Sequence, residues 1–296
     1  MSIGEYFKSY FYLLDSPLRY FKAYKNFFTV MRNLLKKKFP FEGKLRNGKN
    51  ILITNYYEAY LASFGILDGY SIKGNSAIIN IDNFPEITLS LGNDNGDIHG
   101  VFFKKVYSFL PVKNRFVIDI GANIGDSSIY FALCGAKKVI ALEPFPKNNQ
   151  TAQKNIEANH LLNKIILILA GCSKEKSEII INSEQEGAGS ATDETNSGIK
   201  VPFITLENLV NQYDIPNDSV MKIDCEGCEY DVIMSSSKSL LRKFTHIEVE
   251  YHYGYRNLEK KLEECGFKIK HSSPMFISNK QSNTSMYFGY LYATRI

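Results

Sequence analysis

The sequence predicts an α/β protein, a doubly wound sheet carrying an N-terminal helical and small β extension. Three observations predict it. From Asn114 onward, short apolar runs alternate with helix-patterned segments, the rhythm of strands joined by right-handed helical crossovers. Phe116–Ile120 is a near-continuous apolar run, as a parallel strand buried on both faces should be. A glycine turn, Gly121 to Gly125, links that strand to the next helix.

Taken in order, residues 1–42 read as a basic amphipathic helical extension. Tyr6, Phe7, Tyr10, Phe11 and Leu14, then Phe21, Tyr24, Phe27, Phe28, Met31, Leu34 and Leu35, recur at three- and four-residue steps, the period of one helix face. Asp15-Ser16-Pro17 breaks the run, with Ser16 as N-cap and Pro17 at the first helical position. Residues 43–106 read as a small antiparallel β element, because β-prone runs at 51–54, 76–81 and 87–91 alternate with turn clusters. Residues 107–296 read as the main domain. Its strands are expected at 116–120, 138–143, 164–169, 178–181, 200–204, 219–224, 246–251, 267–270 and 286–292. Its helices are expected at 125–133, 147–160, 206–213, 229–241 and 258–265. The polar stretch 184–197, with Gly189 and Ser190, reads as a mobile or acceptor-contacting loop.

Charge divides the chain of 296 residues unevenly. Residues 1–50 hold 11 Lys+Arg against 3 Asp+Glu, whereas the remainder holds 24 against 28. A mildly acidic body argues against a nucleic-acid groove spread over the whole surface. The basic helices of residues 1–38 suit either packing against the body or a second subunit, as in a homo-oligomer, or docking on an anionic membrane. No run of 18 apolar residues predicts a membrane span, and the N-terminus lacks the pattern of a secretory signal. Five cysteines without framework spacing read as reduced thiols of a cytoplasmic protein.

The glycine turn reads Asp119-Ile120-Gly121-Ala122-Asn123-Ile124-Gly125. It is not the pyrophosphate pattern, and a carboxylate just before it suits a ligand with a positive end. S-adenosylmethionine has such an end. The next strand closes on Glu143-Pro144, and an acid there accepts ribose hydroxyls. Glu143 follows Asp119 by 24 residues, near the offset expected of a ribose acid.

The runs FVIDIGANIGDSSIYFALCGAKKVIALEPFP, KIDCEGCEYDVI and HIEVEYH resemble the FkbM-type methyltransferases over about residues 97–270. The resemblance implies a class I, Rossmann-like seven-stranded fold and methyl transfer from S-adenosylmethionine, usually to a hydroxyl oxygen of a sugar, glycan, lipid or other small acceptor. It implies that Asp119, Gly121, Asn123, Gly125 and Glu143 line the cofactor, with Ala122, Pro144 and Asp224 beside them. The family's usual D-V-E-G-A-E is here Asp224-Cys225-Glu226-Gly227-Cys228-Glu229.

Methyl transfer to oxygen needs alignment of the reactants and removal of one proton. His252, at the end of a strand, is the candidate base, and Glu250 shares its strand face and could orient the ring. Asp224 is placed near the transferring methyl. Glu226 either faces the acceptor or caps the helix, and Glu229 reads as a solvated helix residue. Cys225 and Cys228 read as small buried thiols, since no second ligand pair completes a zinc site. Asp224, Glu226 and Glu250 have the oxygen chemistry of a magnesium site, but no spacing demands one, so no metal is expected. The rival from another class is a non-catalytic module with this fold, docking a membrane or protein through its basic helices.

Overall fold

Pro17 begins the first described helix, where its missing N–H costs nothing. The structure, a computed structural model, describes residues 17–63, 69–90, 97–184, 198–279 and 284–296. The helix expected within residues 3–14 and the loop residues Gly189 and Ser190 lie outside them. The chain divides into two compact units, one reaching to Lys73 with Ala77–Ile87, the other being Gly74–Ser76 with Thr88–Ile296.

The first unit holds helices α1 (Pro17–Ala23) and α2 (Phe27–Leu35), the antiparallel pair β1 (Phe41–Lys44) and β2 (Asn50–Ile53), helix α3 (Tyr56–Ser63), and the adjacent strands β3 (Tyr70–Lys73) and β4 (Ser76–Ile79). Its core packs Tyr20, Tyr24, Val30 and Leu34 against Ile53 and Ala59. Tyr24 is fully buried, and its hydroxyl donates to the Ala59 carbonyl at 2.8 Å, so the polar tip is satisfied. Helix α3 corrects the all-β expectation for residues 43–106. Asn55 accepts from the Glu58 N–H at 2.9 Å, and Glu58 reaches back to the Thr54 N–H at 2.6 Å, reciprocal capping that stabilises a short helix.

The chain leaves the first unit through β5 (Ile87–Ser90) and a π-helical turn, His99–Lys104. The second unit then runs β6 (Phe116–Ile120), α4 (Asp126–Leu133), β7 (Lys138–Leu142), α5 (Pro146–Ala158), β8 (Ile165–Ile168), β9 (Gly171–Cys172), β10 (Ser177–Ile181), β11 (Ile199–Ile204) and α6 (Leu206–Gln212). It continues with β12 (Ser219–Ile223), α7 (Cys228–Ser235), α8 (Lys238–Leu241), β13 (Phe244–Tyr251), α9 (Arg256–Glu264), β14 (Phe267–His271), β15 (Met275–Asn279) and β16 (Thr284–Arg295). The helix expected over 229–241 is two, because Ser236 turns to extended backbone and the Ser237 hydroxyl caps a new start at the Leu240 N–H.

The main sheet has the order β14–β16–β13–β12–β6–β7–β8, with β15 paired to β16. Strands β8, β7, β6, β12 and β13 are parallel, and β16 enters antiparallel between β13 and β14. This is the Rossmann-like seven-stranded sheet that the sequence resemblance implies. Strand order reverses between β6 and β12, the switch point where such sheets open a crevice at their carboxyl ends. One sheet face is apolar. Ile118, Ile140, Met221 and Ile247 pack there with Leu209, Val232, Leu258 and Leu262 from the helices. The other face carries a polar row, because Asp119, Lys222 and Glu248 are register partners on neighbouring strands and all three are buried. Among the described residues, no helix is long and apolar enough to cross a membrane.

Candidate active site

The crevice is built from the ends of β6, β7, β12 and β13. The turn after β6 is pressed against the residue after β12. A Cβ on Gly121 would sit 1.7 Å from the Asp224 carbonyl oxygen, and its φ of +80° is one that side-chain-bearing residues avoid. The Asp224 N–H donates to the Ile120 carbonyl at 3.0 Å, closing the contact from the other side. Gly125 lies against helix α5, where an added Cβ would meet Ala152 at 3.2 Å.

Asp119 is fully buried beneath this turn. Its carboxylate accepts from the Ser127 hydroxyl at 2.7 Å and the Ser128 hydroxyl at 2.5 Å, and it pairs with Lys222 at 3.1 Å. The carboxylate thus faces protein groups and braces the turn from below. The Lys222 ammonium also donates to the Gly121 carbonyl at 2.5 Å and lies 3.9 Å from Asp224. Burial works against the lysine charge, but Asp119 foremost, then Asp224, raise its pKa above the ordinary value.

Glu143 is buried at the end of β7. It accepts from the Asn123 N–H at 2.8 Å and the Phe145 N–H at 3.0 Å, one on each oxygen. Burial pushes its pKa up to about 7 against those hydrogen bonds. Asn123 has a φ of +47° and is tied on both sides. Its amide donates to Asp97 at 2.8 Å and its oxygen accepts from Asn148 at 2.9 Å. Ala122 is buried and Pro144 half-buried alongside.

On the acidic side, Asp224 is partly exposed and accepts from the Tyr107 hydroxyl at 3.1 Å. The next turn brings two corrections. Cys225 and Cys228 form a disulfide with Cα atoms 5.5 Å apart, whereas Cys134, Cys172 and Cys265 are free. The expectation of reduced thiols at 225 and 228 therefore fails, because the tight turn holds the two residues at bonding distance. The bond brackets Glu226, with φ +56°, and Gly227, with φ +123°. Glu229 is not solvated. It is fully buried in the first turn of α7 and accepts from the Gly227 N–H at 2.8 Å.

Glu229 is also the partner of His252, a position expected of Glu250. One Glu229 oxygen meets both the His252 Nδ1 at 2.9 Å and its backbone N–H at 3.0 Å. The other ring nitrogen, Nε2, lies 3.3 Å from Glu226. Burial of the ring disfavours its charge. The hydrogen bond and charge of Glu229, then Glu226 and Asp224, outweigh that burial and bring the pKa up to about 9. Tyr230 fixes the strand end to α7, donating to the Gly254 carbonyl at 2.6 Å and accepting from the Tyr253 N–H at 2.9 Å.

Glu250 lies nearby, its pKa pushed well up by burial and then by Asp224. Asp224, Glu250 and His252 bring one donor atom each within 4.8 Å of one another, a set that could hold a cation. Both His252 nitrogens already meet carboxylates. Asp224, Glu226 and His252 thus converge as the sequence suggested. Tyr107, Asp97, Asn148 and the buried Glu229 join a site that sequence patterning did not assign to them. The signal available for the last was its spacing, since an acid in the first turn of a helix that follows a strand end sits beside the crevice.

A family profile described as methyltransferase FkbM domain matches residues 119–269, half of the chain. The chain is 29% identical over 133 residues to uncharacterized protein 158B of Sulfolobus islandicus rod-shaped virus 1, covering 45% of this chain and 60% of that protein. It is 26% identical over 151 residues to the hexuronic acid methyltransferase AglP of Haloferax volcanii, covering 50% of this chain and 61% of that protein. The chain thus spans about three fifths of the length of these curated relatives. Among solved structures it is similar to TrmK of M. capricolum in complex with S-adenosylhomocysteine, at 17% identity and a TM-score of 0.42, covering 65% of this chain and 68% of that one. An overlay this loose says nothing about chemistry. The profile match settles the family: this chain belongs to the FkbM methyltransferases.

Proposed function

We propose that the protein is an S-adenosylmethionine-dependent O-methyltransferase acting on a hydroxyl of a sugar, glycan or other small acceptor. The observation that carries the reading is Glu143, a buried acid at the end of β7 that faces the backbone of the glycine turn at the switch point. The donor set fits the cofactor. Each Glu143 oxygen uses one lone pair on a backbone N–H and keeps another for a ribose hydroxyl. Asp224 and Glu226 supply negative charge on the side where a cationic group would lie. Ala122, Asn123 and Pro144 would border the nucleoside, and Gly121 and Gly125 let the backbone approach it, with Asp119 bracing the turn. When bound, the cofactor supplies a methyl group on a positively charged sulfur.

The chain's own residues then handle the acceptor. His252 takes the hydroxyl proton on Nε2. Glu229 holds the Nδ1 side and fixes the ring, acting as a positioning residue. Glu226, beside Nε2 at 3.3 Å, offsets the charge of the imidazolium that forms. Such a base contributes ~10²–10⁴-fold, the remainder coming from alignment. A glycan acceptor is supported by the relative that is named a hexuronic acid methyltransferase.

Isothermal titration with S-adenosylhomocysteine tests the cofactor assignment. Binding is expected, and Glu143→Ala should weaken it at least ~tenfold, the value of losing hydrogen bonds to a charged group. An absence of binding sinks the assignment. Transfer of labelled methyl to hexuronic acids and neutral sugars, lost in His252→Ala with binding retained, tests the base.

A further inference from the structure

We propose that helices α1 and α2 form a docking surface for an anionic lipid membrane. This goes beyond the methyl-transfer reading and does not depend on it. Both helices bury one stripe in the first unit, through Tyr20 on α1 and Val30 and Leu34 on α2. Each then presents large apolar side chains away from that core. Phe28 is 80% exposed, Leu35 66%, Leu18 59% and Phe21 48%. Phe28 and Leu35 are seven residues apart, hence on one face of α2, more than a third of a turn from the buried stripe.

The exposed groups form one surface. The Phe21 ring meets Phe27 edge-on at 5.5 Å, and Phe27 meets Phe28 at 5.3 Å. This aromatic chain joins the apolar face of α1 to that of α2. Contiguous exposed apolar surface of this kind marks an interaction site, not ordinary surface scatter.

Charge selects the occupant. From Pro17 to Phe41 the chain has seven basic residues and no acidic one. Lys22 on α1 and Arg32 on α2 are exposed, as are Lys25 in the turn between them and Lys36 just after α2, and the Arg46 guanidinium lies 5.4 Å over the Phe21 ring. Phe and Leu side chains flanked by Lys and Arg match an interface where acyl chains lie beneath anionic headgroups. A second copy of this surface would set basic residues against basic residues.

Co-sedimentation of the full chain with vesicles tests the proposal. Vesicles of equal phosphatidylcholine and phosphatidylglycerol should bind the protein, and phosphatidylcholine alone should bind it at least ~tenfold less. High salt should weaken the binding. The double variants Phe28→Ser/Leu35→Ser and Lys22→Glu/Arg32→Glu should each lower partitioning at least ~tenfold, with circular dichroism and S-adenosylhomocysteine binding unchanged. These substitutions are exposed, so the fold should survive both. No partitioning into the mixed vesicles overturns the proposal, as does partitioning that both variants retain. Concentration-dependent self-association removed by Phe28→Ser/Leu35→Ser, without vesicle binding, also overturns it and assigns the surface to a second copy.

Discussion

Replacing Glu229 with Gln should move the titration of His252 sharply toward acid. Gln keeps the shape and an oxygen near Nδ1 but removes the buried charge 2.9 Å from the ring. In the native protein the His252 pKa stands at about 9, so only about 1% of the rings are neutral at pH 7. Without the Glu229 charge, burial gains weight against the imidazolium. The pKa should fall by at least about one unit, and the neutral fraction at pH 7 should rise about tenfold per unit. The rate of methyl transfer in the native enzyme should climb with pH through about 9, and the climb should shift to acid in the variant. Nuclear magnetic resonance of the ring carbon protons reads the same titration without turnover. Stability carries a matching signature. The folded pKa lies above the unfolded value of about 6.5, so His252 contributes full stabilisation below about pH 6.5. That stabilisation, about 3 kcal/mol from the shift, is lost as pH rises through the folded pKa. Urea unfolding at pH 6 and pH 10 should show this difference in the native protein and a smaller one in Glu229→Gln. A native His252 titrating at or below its ordinary value, or an identical titration in both proteins, would refute the electrostatic account.

Lys222→Met should cost about 3–5 kcal/mol by urea unfolding, because it strands the buried Asp119 carboxylate without its cation. Glu248→Gln should raise the melting temperature at pH 9 and leave it nearly unchanged at pH 5. Burial lifts the Glu248 pKa to about 8, and an acid raised above its unfolded value loses stability as pH rises through the folded pKa. Gly121→Ala should abolish S-adenosylhomocysteine binding in calorimetry, since its Cβ would overlap the Asp224 carbonyl. A chelator should leave methyl transfer unchanged, because both His252 nitrogens are held by carboxylates. A loss restored by magnesium would assign the cluster of Asp224, Glu250 and His252 to a metal.

The glycine turn and Glu143 were legible because their meaning is local: one strand end, one turn and an acid at a fixed offset. The main sheet was legible for the same reason, since each strand is a separate apolar run. Glu229 was not, because its burial comes from His252, 23 residues further on and brought opposite by sheet pairing. The Cys225–Cys228 bond was hidden because composition favours free thiols, while the turn geometry decides the pairing. Helix α3 escaped notice because Tyr56–Ser63 is apolar on most sides, and periodicity cannot separate such a segment from a strand. Tyr107 and Asp97 precede the sheet in sequence, and nothing in their neighbourhood announces that they reach Asp224 and Asn123.

The buried pair of Asp119 and Lys222 constrains how this sequence can drift. A neutral residue at either position alone alters the net charge of an interior that water does not screen, so such single replacements are selected against even where the new residue fits. Paired replacements that conserve total charge escape that cost, and Glu248, which burial keeps protonated at neutral pH, is free of it. Divergent descendants of this chain should therefore exchange Asp119 and Lys222 together or keep both, and a combinatorial library at the two sites would recover charge-conserving pairs far more often than singly altered ones.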